Sequence, residues 1–255
     1  MRVFITGASS GIGEALARYY ARQGATLGLV ARRSELLQTL AAQLDVPAAI
    51  YALDVRDAEA LTQATADFIQ KYGVPDIVIA NAGVSRGTLT ESQQDIAAFK
   101  AIMEINVLGL VHTFQPFIAG MKQRGSGSLV GIASVAGIRG LPGAGAYSAS
   151  KAAAIAYLES LRVEMQKIGI VVTTIAPGYI KTPMTDVNTY RMPFLMDAGI
   201  AAAKMAKAIS AKRRFVVIPW QMGWLARFMR FIPPFLWDWA LRNAPKKAHL
   251  DWDWL

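Results

Sequence analysis

The sequence predicts an α/β protein: a doubly wound parallel sheet of about seven strands in a single domain, with a helical extension at the C-terminal end. Three observations lead there. Short apolar, β-branched runs recur at residues 2–6, 26–31, 48–53, 76–80, 128–133, 171–176 and 215–218. Helix-length stretches with apolar residues spaced by three and four lie between them, at residues 13–23, 34–44, 58–72, 95–121 and 146–167. Runs such as Ile77-Val-Ile-Ala and Val171-Val-Thr-Thr-Ile are apolar without alternation, as strands buried on both faces must be. No linker divides the chain, so residues 1–185 read as the core, 183–212 as a lid, and 213–255 as the last strand with an aromatic-rich extension.

Composition excludes several classes of function. With 255 residues, 53% hydrophobic and 18% charged, the chain buries a sizeable core and is not disordered. It has no cysteine, which removes disulfides, thiolate metal sites and cysteine nucleophiles together. The first residues run straight into a strand, so no signal peptide is expected and the expected location is the cytoplasm. Residues 105–121 carry no charge but include Asn106, His112, Gln115 and Pro116, which suits a buried helix better than a membrane span. The net charge of +9 suits phosphorylated ligands, anionic membrane or nucleic acid. The basic residues are scattered and no recognition motif appears, so nucleic acid is not an expected partner. The two histidines, His112 and His249, lie far apart with no carboxylates at ligand spacing; no metal and no Ser-His triad is expected, and His112, in an apolar helix, reads as a packed core histidine.

The first strand is followed by Thr6-Gly-Ala-Ser-Ser-Gly-Ile-Gly13 and then a helix-forming run. Glycines at 7, 11 and 13 allow a tight turn and a close backbone approach to a pyrophosphate, which the following helix N-terminus would attract. The spacing Gly-x-x-x-Gly-x-Gly, with Asn81-Ala-Gly83 after the fourth strand, resembles the short-chain dehydrogenase/reductase family over roughly residues 1–185. That resemblance implies a Rossmann-like sheet and a nicotinamide dinucleotide held by Gly7, Ser9, Ser10, Gly11, Ile12 and Gly13. It implies further that Asp54 and Val55 meet the adenine, and that Asn81, Ala82 and Gly83 brace the nucleotide pocket. By the same token Pro177-Gly178, Ile180 and Thr182 approach the carboxamide. For Asp54 the alternative is an N-cap of the next helix. At the end of the second strand stands Ala31 where an acid would select NAD; Arg32 and Arg33 follow. A 2′-phosphate needs a cation and repels a carboxylate, so NADP (NADPH) is the expected cofactor, with Arg32 its main contact and Arg33 and Ser10 beside it.

Tyr147 and Lys151 are four residues apart in a helical run, so both project from one face. Alone that pair is weak; Ser134 at the end of the fifth strand and Asn106 in the preceding helix strengthen it. Reduction of a carbonyl leaves an alkoxide that must be protonated, and tyrosine, with a pKa of about 10, needs a neighbouring ammonium to exchange its proton near neutrality. Lys151 supplies that charge, Ser134 polarises the carbonyl oxygen, and Asn106 holds a relay water. The family resemblance implies the same four roles. The expected activity is hydride exchange between NADPH and a carbonyl or alcohol. The alternative on the same fold is a cofactor-binding regulatory or scaffold protein.

After Thr182, residues 183–196 carry three Met with Phe194 and Leu195, which suggests an adaptable apolar lid and a lipophilic substrate. The tail interleaves Trp220, Trp224, Phe228, Phe231, Phe235, Trp237 and Trp239 with Arg227 and Arg230, breaks at Pro233-Pro234 and ends past Lys246-Lys247. Such a segment caps the substrate pocket, forms a subunit contact or lies on a membrane surface. The expectation is that residues 221–255 order on the body and favour a homodimer, formed through the helices at 95–121 and 146–167, over a tetramer.

Overall fold

A computed structural model describes residues 1–244. In it all seven expected strands form, each within one or two residues of its expected ends. They are β1 (Arg2–Thr6), β2 (Thr26–Ala31), β3 (Ala48–Ala52), β4 (Ile77–Ala80), β5 (Gly127–Ile132), β6 (Ile170–Pro177) and β7 (Phe215–Ile218). Every neighbouring pair is parallel, and the order across the sheet is β3-β2-β1-β4-β5-β6-β7. The direction of winding reverses between β1 and β4. In an open sheet of this kind that reversal opens a crevice at the carboxyl ends of the strands, and ligands settle there.

Helices α1 (Gly11–Arg22), α2 (Ser34–Ala42) and α8 (Ala198–Ser210) cover one face. Their apolar residues, among them Leu16, Leu37 and Met205, close a core against Val3, Ile5, Leu27, Leu29 and Ile175. Helices α3 (Ala58–Tyr72), α4 (Asp95–Met103), α5 (Gly109–Arg124) and α6 (Gly145–Gln166) cover the other, where Phe4, Phe68, Phe114 and Phe117 are fully buried. Phe4 meets Phe117 edge-on with ring centroids 4.8 Å apart, a geometry the ring quadrupoles favour. The aromatics also explain Gly28, because a Cβ there would lie 2.4 Å from the Phe4 ring.

One expected element is divided. The helix expected over residues 95–121 is two helices, α4 and α5, joined by a π-turn at Glu104–Leu108. A π-turn inserts one residue into the helical ladder, and such insertions gather at functional sites. Here the turned-in residue is Asn106, almost wholly buried. The run Asp95–Arg124 is long and apolar enough to cross a membrane, yet its inner face packs into the core through Ile102, Ile105, Leu110, Phe114 and Phe117. His112, on the same run, is half-buried and not in the core, with Nδ1 3.1 Å from the Val55 carbonyl.

Short helix α7 (Pro183–Asp186) follows β6, and α9 (Trp220–Phe231) and α10 (Pro234–Leu241) follow β7. As far as Ala244 the extension is described and largely helical, but the body does not cover its aromatics: of the seven named above only Trp237 is half-buried. An amphipathic helix seats one side only, and α9 spends that side on Met222 and Ala226. Lys246-Lys247 and the rest of residues 245–255 lie outside the described residues.

Candidate active site

The carboxyl ends of the strands frame a cleft of about 410 Å³. At one end is the glycine turn. Gly7 and Gly11 have φ of +67° and +60°, a region that side chains strain to enter. Gly13 is required by contact: a Cβ there would lie 2.1 Å from the Gly7 carbonyl oxygen and 2.6 Å from Asn81 Nδ2. Asn81 ties the turn to β4, donating from Nδ2 to the carbonyls of Thr6 and Gly7 at 3.0 and 3.1 Å. Thr6 Oγ1 accepts from the backbone of Asn81 and Ala82 in return. Ser10 is the N-cap of α1 but makes no capping bond, so the first-turn N–H groups are left for an anion. These features fit the diphosphate of a dinucleotide, and Gly7, Gly11 and Gly13 form a cradle that any Cβ would fill.

Beside the turn, Arg33 Nη2 donates to Ser9 Oγ and Ser10 Oγ at 3.0 and 2.9 Å. Arg32 leans the other way, with Nη1 4.0 Å from Asp54 Oδ2. The expectation gave Arg32 the greater weight; the geometry puts Arg33 with the serines. Asp54 is held by Arg56, which donates from its backbone N at 2.9 Å and from Nε and Nη2 at 3.1 and 2.9 Å. Burial works to raise the Asp54 pKa, but the Arg56 hydrogen bonds, with the charges of Arg56 and Arg32, hold it below the usual carboxylate range. Asp54 is not a helix cap. Asp57 caps α3, accepting from Ala60 N at 2.9 Å.

At the inner end stand Ser134, Tyr147 and Lys151. Ser134 hydrogen-bonds the Tyr147 hydroxyl, and its Oγ accepts from Ala136 N at 3.1 Å, which fixes its rotamer. Lys151 is buried one helical turn below, Nζ donating to the Ile132 carbonyl at 2.9 Å and lying 5.9 Å from the Tyr147 ring centroid. Gly83 leaves room for it, since a Cβ at that position would approach Lys151 Nζ to 3.3 Å. Burial pushes the Lys151 pKa down to about 8. Burial also raises the Tyr147 phenol, and the Ser134 hydrogen bond only partly offsets that. In the protein alone the phenol is therefore a proton donor at neutral pH, and the net lowering expected from Lys151 is not seen.

Asn106 stands behind the wall with its amide committed: Nδ2 donates to the Val84 carbonyl at 3.0 Å and to Ser150 Oγ at 2.9 Å, and Oδ1 accepts from Val84 N at 2.8 Å. It clamps the loop after Gly83, leaving one Oδ1 lone pair for the relay water expected of it. Of the residues expected to react or bind cofactor, Gly13 and Asn106 lie behind the cleft wall and all the others line it.

Known proteins agree with this architecture. The sequence profile of the short chain dehydrogenase family matches residues 1–191. The chain belongs to the short-chain dehydrogenase/reductase family. An uncharacterized oxidoreductase of Myxococcus xanthus (strain DK1622) is 38% identical over 242 residues, 94% of this chain and 95% of that protein. Dehydrogenase/reductase SDR family member 7B of Bos taurus is 33% identical, covering 96% of this chain and 81% of its own. A short-chain dehydrogenase from Streptomyces avermitilis superposes with a TM-score of 0.80 at 27% identity, covering 96% and 98% of the two chains. An alcohol dehydrogenase from Thermococcus sibiricus, complexed with 5-hydroxy-NADP, gives 0.75 at 27% identity over 85% and 95%. This dehydrogenase/reductase is accordingly an oxidoreductase of a family that uses nicotinamide cofactors.

Three site residues of this short-chain dehydrogenase/reductase escape a reading of the sequence. Ser150 completes the Asn106 clamp and donates to the Tyr147 carbonyl at 2.8 Å. Tyr179 and Tyr190 meet edge-on at 6.3 Å, and Tyr190 lies near Tyr147. Burial, then Tyr179 and Tyr147 nearby, raise the Tyr190 phenol to about 12. Tyr179 follows Pro177-Gly178 directly, a signal available in the sequence; Tyr190 gives none, because its place depends on how the lid folds. In the lid Met184 lines the cleft, whereas Met196 packs on the core. Among the described residues no tail aromatic lines the cleft, and α9 does not cap it.

Proposed function

We propose that this protein is an NADPH-dependent reductase of lipophilic aldehydes or ketones, working in the cytoplasm as a homodimer. One observation carries the reading: a single cleft joins a Ser134–Tyr147–Lys151 group to a turn flanked by Arg32 and Arg33 with the Ser9 and Ser10 hydroxyls. The solved alcohol dehydrogenase bound to an NADP derivative supports the choice of phosphate. Bound cofactor supplies a hydride to the carbonyl carbon. Ser134 Oγ and the Tyr147 hydroxyl orient the carbonyl oxygen, and the Tyr147 proton passes to that oxygen as charge develops. Lys151, a cation below about pH 8, stabilises the tyrosinate left behind. Asn106 positions Val84 and Ser150 around this group. Met184 and Pro183 add apolar surface to the cleft, which favours lipophilic substrates.

The test is oxidation of NADPH, followed by absorbance against a panel of aldehydes and ketones graded by chain length. Turnover that rises with chain length, and that Tyr147→Phe abolishes while NADPH binding stays intact, is the expected result. A Tyr147→Phe variant with wild-type kcat overturns the mechanism; NADPH binding with no turnover on any carbonyl favours the scaffold reading.

A further inference from the structure

Along α9, Trp220, Trp224, Phe228 and Phe231 follow at spacings of four, four and three, so they form one row on one side of the helix. They are 65%, 66%, 67% and 83% exposed, and Phe235 and Trp239 continue the exposed aromatics on α10. A soluble surface seldom leaves so much contiguous aromatic area in water without a partner. The helices are tied to the body beneath. Met222, on the opposite side of α9, packs against Gly178. Arg139, from the loop between Ser134 and Tyr147, donates to the carbonyls of Met229 and Ile232 at 2.5 and 2.6 Å and stacks 4.6 Å over Trp237. Little ordering entropy is left to lose on docking.

Charge selects the partner. Arg227 lies 5.7 Å over the Trp224 ring, and Arg230, Arg214 and Arg162 line the same groove beside it. The one carboxylate in that groove, Glu159, is 3.7 Å from Arg162. We propose that α9 and α10 seat the protein on an anionic lipid bilayer, with the aromatic row in the headgroup boundary and the arginines on lipid phosphates. Aromatic rings and guanidiniums suit that boundary, where the ring is half-wet and the cation meets an anion. A second copy suits it poorly: a two-fold contact would set this cationic patch against itself and repel. Because β7 runs straight into α9, the surface flanks the active-site end of the sheet. The proposal goes beyond the reductase reading and does not depend on it.

The test sediments the full-length protein with vesicles of phosphatidylcholine, alone or mixed with phosphatidylglycerol. Partition into the mixed vesicles at least tenfold stronger, and weakening with salt, is expected. Arg227→Gln with Arg230→Gln should lower that partition roughly 30-fold, about fivefold per cation. Trp224→Glu with Phe228→Glu should leave the protein in the supernatant, while NADPH-linked turnover of a water-soluble aldehyde, or NADPH binding if no carbonyl is turned over, keeps its wild-type value. Equal recovery with both lipids, or none with either, overturns the proposal. So does a Trp224→Glu, Phe228→Glu variant that binds vesicles as before but halves its particle size in light scattering, which would assign the face to a second copy.

Discussion

Lys151 shows at the scale of one residue how stability and chemistry oppose each other. Burial brings its pKa from 10.5 to about 8, so below pH 8 the folded protein carries a buried cation that the unfolded chain would keep in water. Between about 8 and 10.5 the unfolded chain binds the extra proton, and stability therefore rises with pH there. The penalty below that window is about 3 kcal/mol, from 1.36 kcal/mol per pKa unit. A Lys151→Met variant should lose turnover, and its stability relative to wild type, by urea unfolding, should fall by about 3 kcal/mol from neutral pH to about pH 10. A pH-independent difference would show that folding does not shift the Lys151 pKa. For wild type, kcat/KM for reduction should be level below pH 8 and fall above it as Lys151 loses its proton, since Tyr147 is shifted upward and stays protonated. Tyr147, Lys151 and Ser134 were legible because one helical spacing and one strand end decide where they meet. The two arginines were not: Arg33 is turned by hydroxyls 23 and 24 residues away, a choice no local pattern records. Arg33→Ala should thus weaken NADPH binding about ten- to a hundredfold, the worth of a charge-assisted contact, and Arg32→Ala less, as titration of each variant would show.

At the scale of elements, strand and helix positions were legible because buried parallel strands and amphipathic helices impose different periods on the sequence. The π-turn at Glu104–Leu108 was not, since one inserted residue barely disturbs an apolar spacing of three and four. Its effect is to bring Asn106 to Val84 and Ser150, 22 and 44 residues away. Two substitutions separate cradle from scaffold. Gly13→Ala drives a Cβ into the Gly7 carbonyl, and backbone cannot swing aside, so cofactor binding should be lost along with several degrees of melting temperature. Asp57→Ala removes the cap of α3 and should cost about 1 kcal/mol with cofactor affinity unchanged. Were Asp57→Ala silent in a melt and Asp54→Ala destabilising instead, the assignment of the cap would be wrong.

For the whole molecule, the question is which apolar surfaces are spent on other copies of the chain. Two candidate surfaces stand apart in chemistry. The α9–α10 surface is aromatic and cationic, and a cationic patch resists pairing with itself. The outer sides of α4, of the π-turn and of α6 expose Ile96, Phe99, Leu108 and Val163, among side chains of both signs such as Lys100 and Glu104, which are 3.9 Å apart. Mixed charge around an aliphatic centre can be self-complementary about a two-fold axis, the condition for a closed dimer. The tail bears on this differently from the sequence expectation: its described aromatics are mostly exposed, so any block on further assembly comes from the arginines beside them and not from the aromatics being covered. Light scattering at micromolar concentration should give a dimer, and Phe99→Glu with Val163→Glu should reduce it to a monomer by placing like charges across the contact. A tetramer would mean that the cationic face pairs after all, and it would weaken the dimer argument and the lipid assignment together.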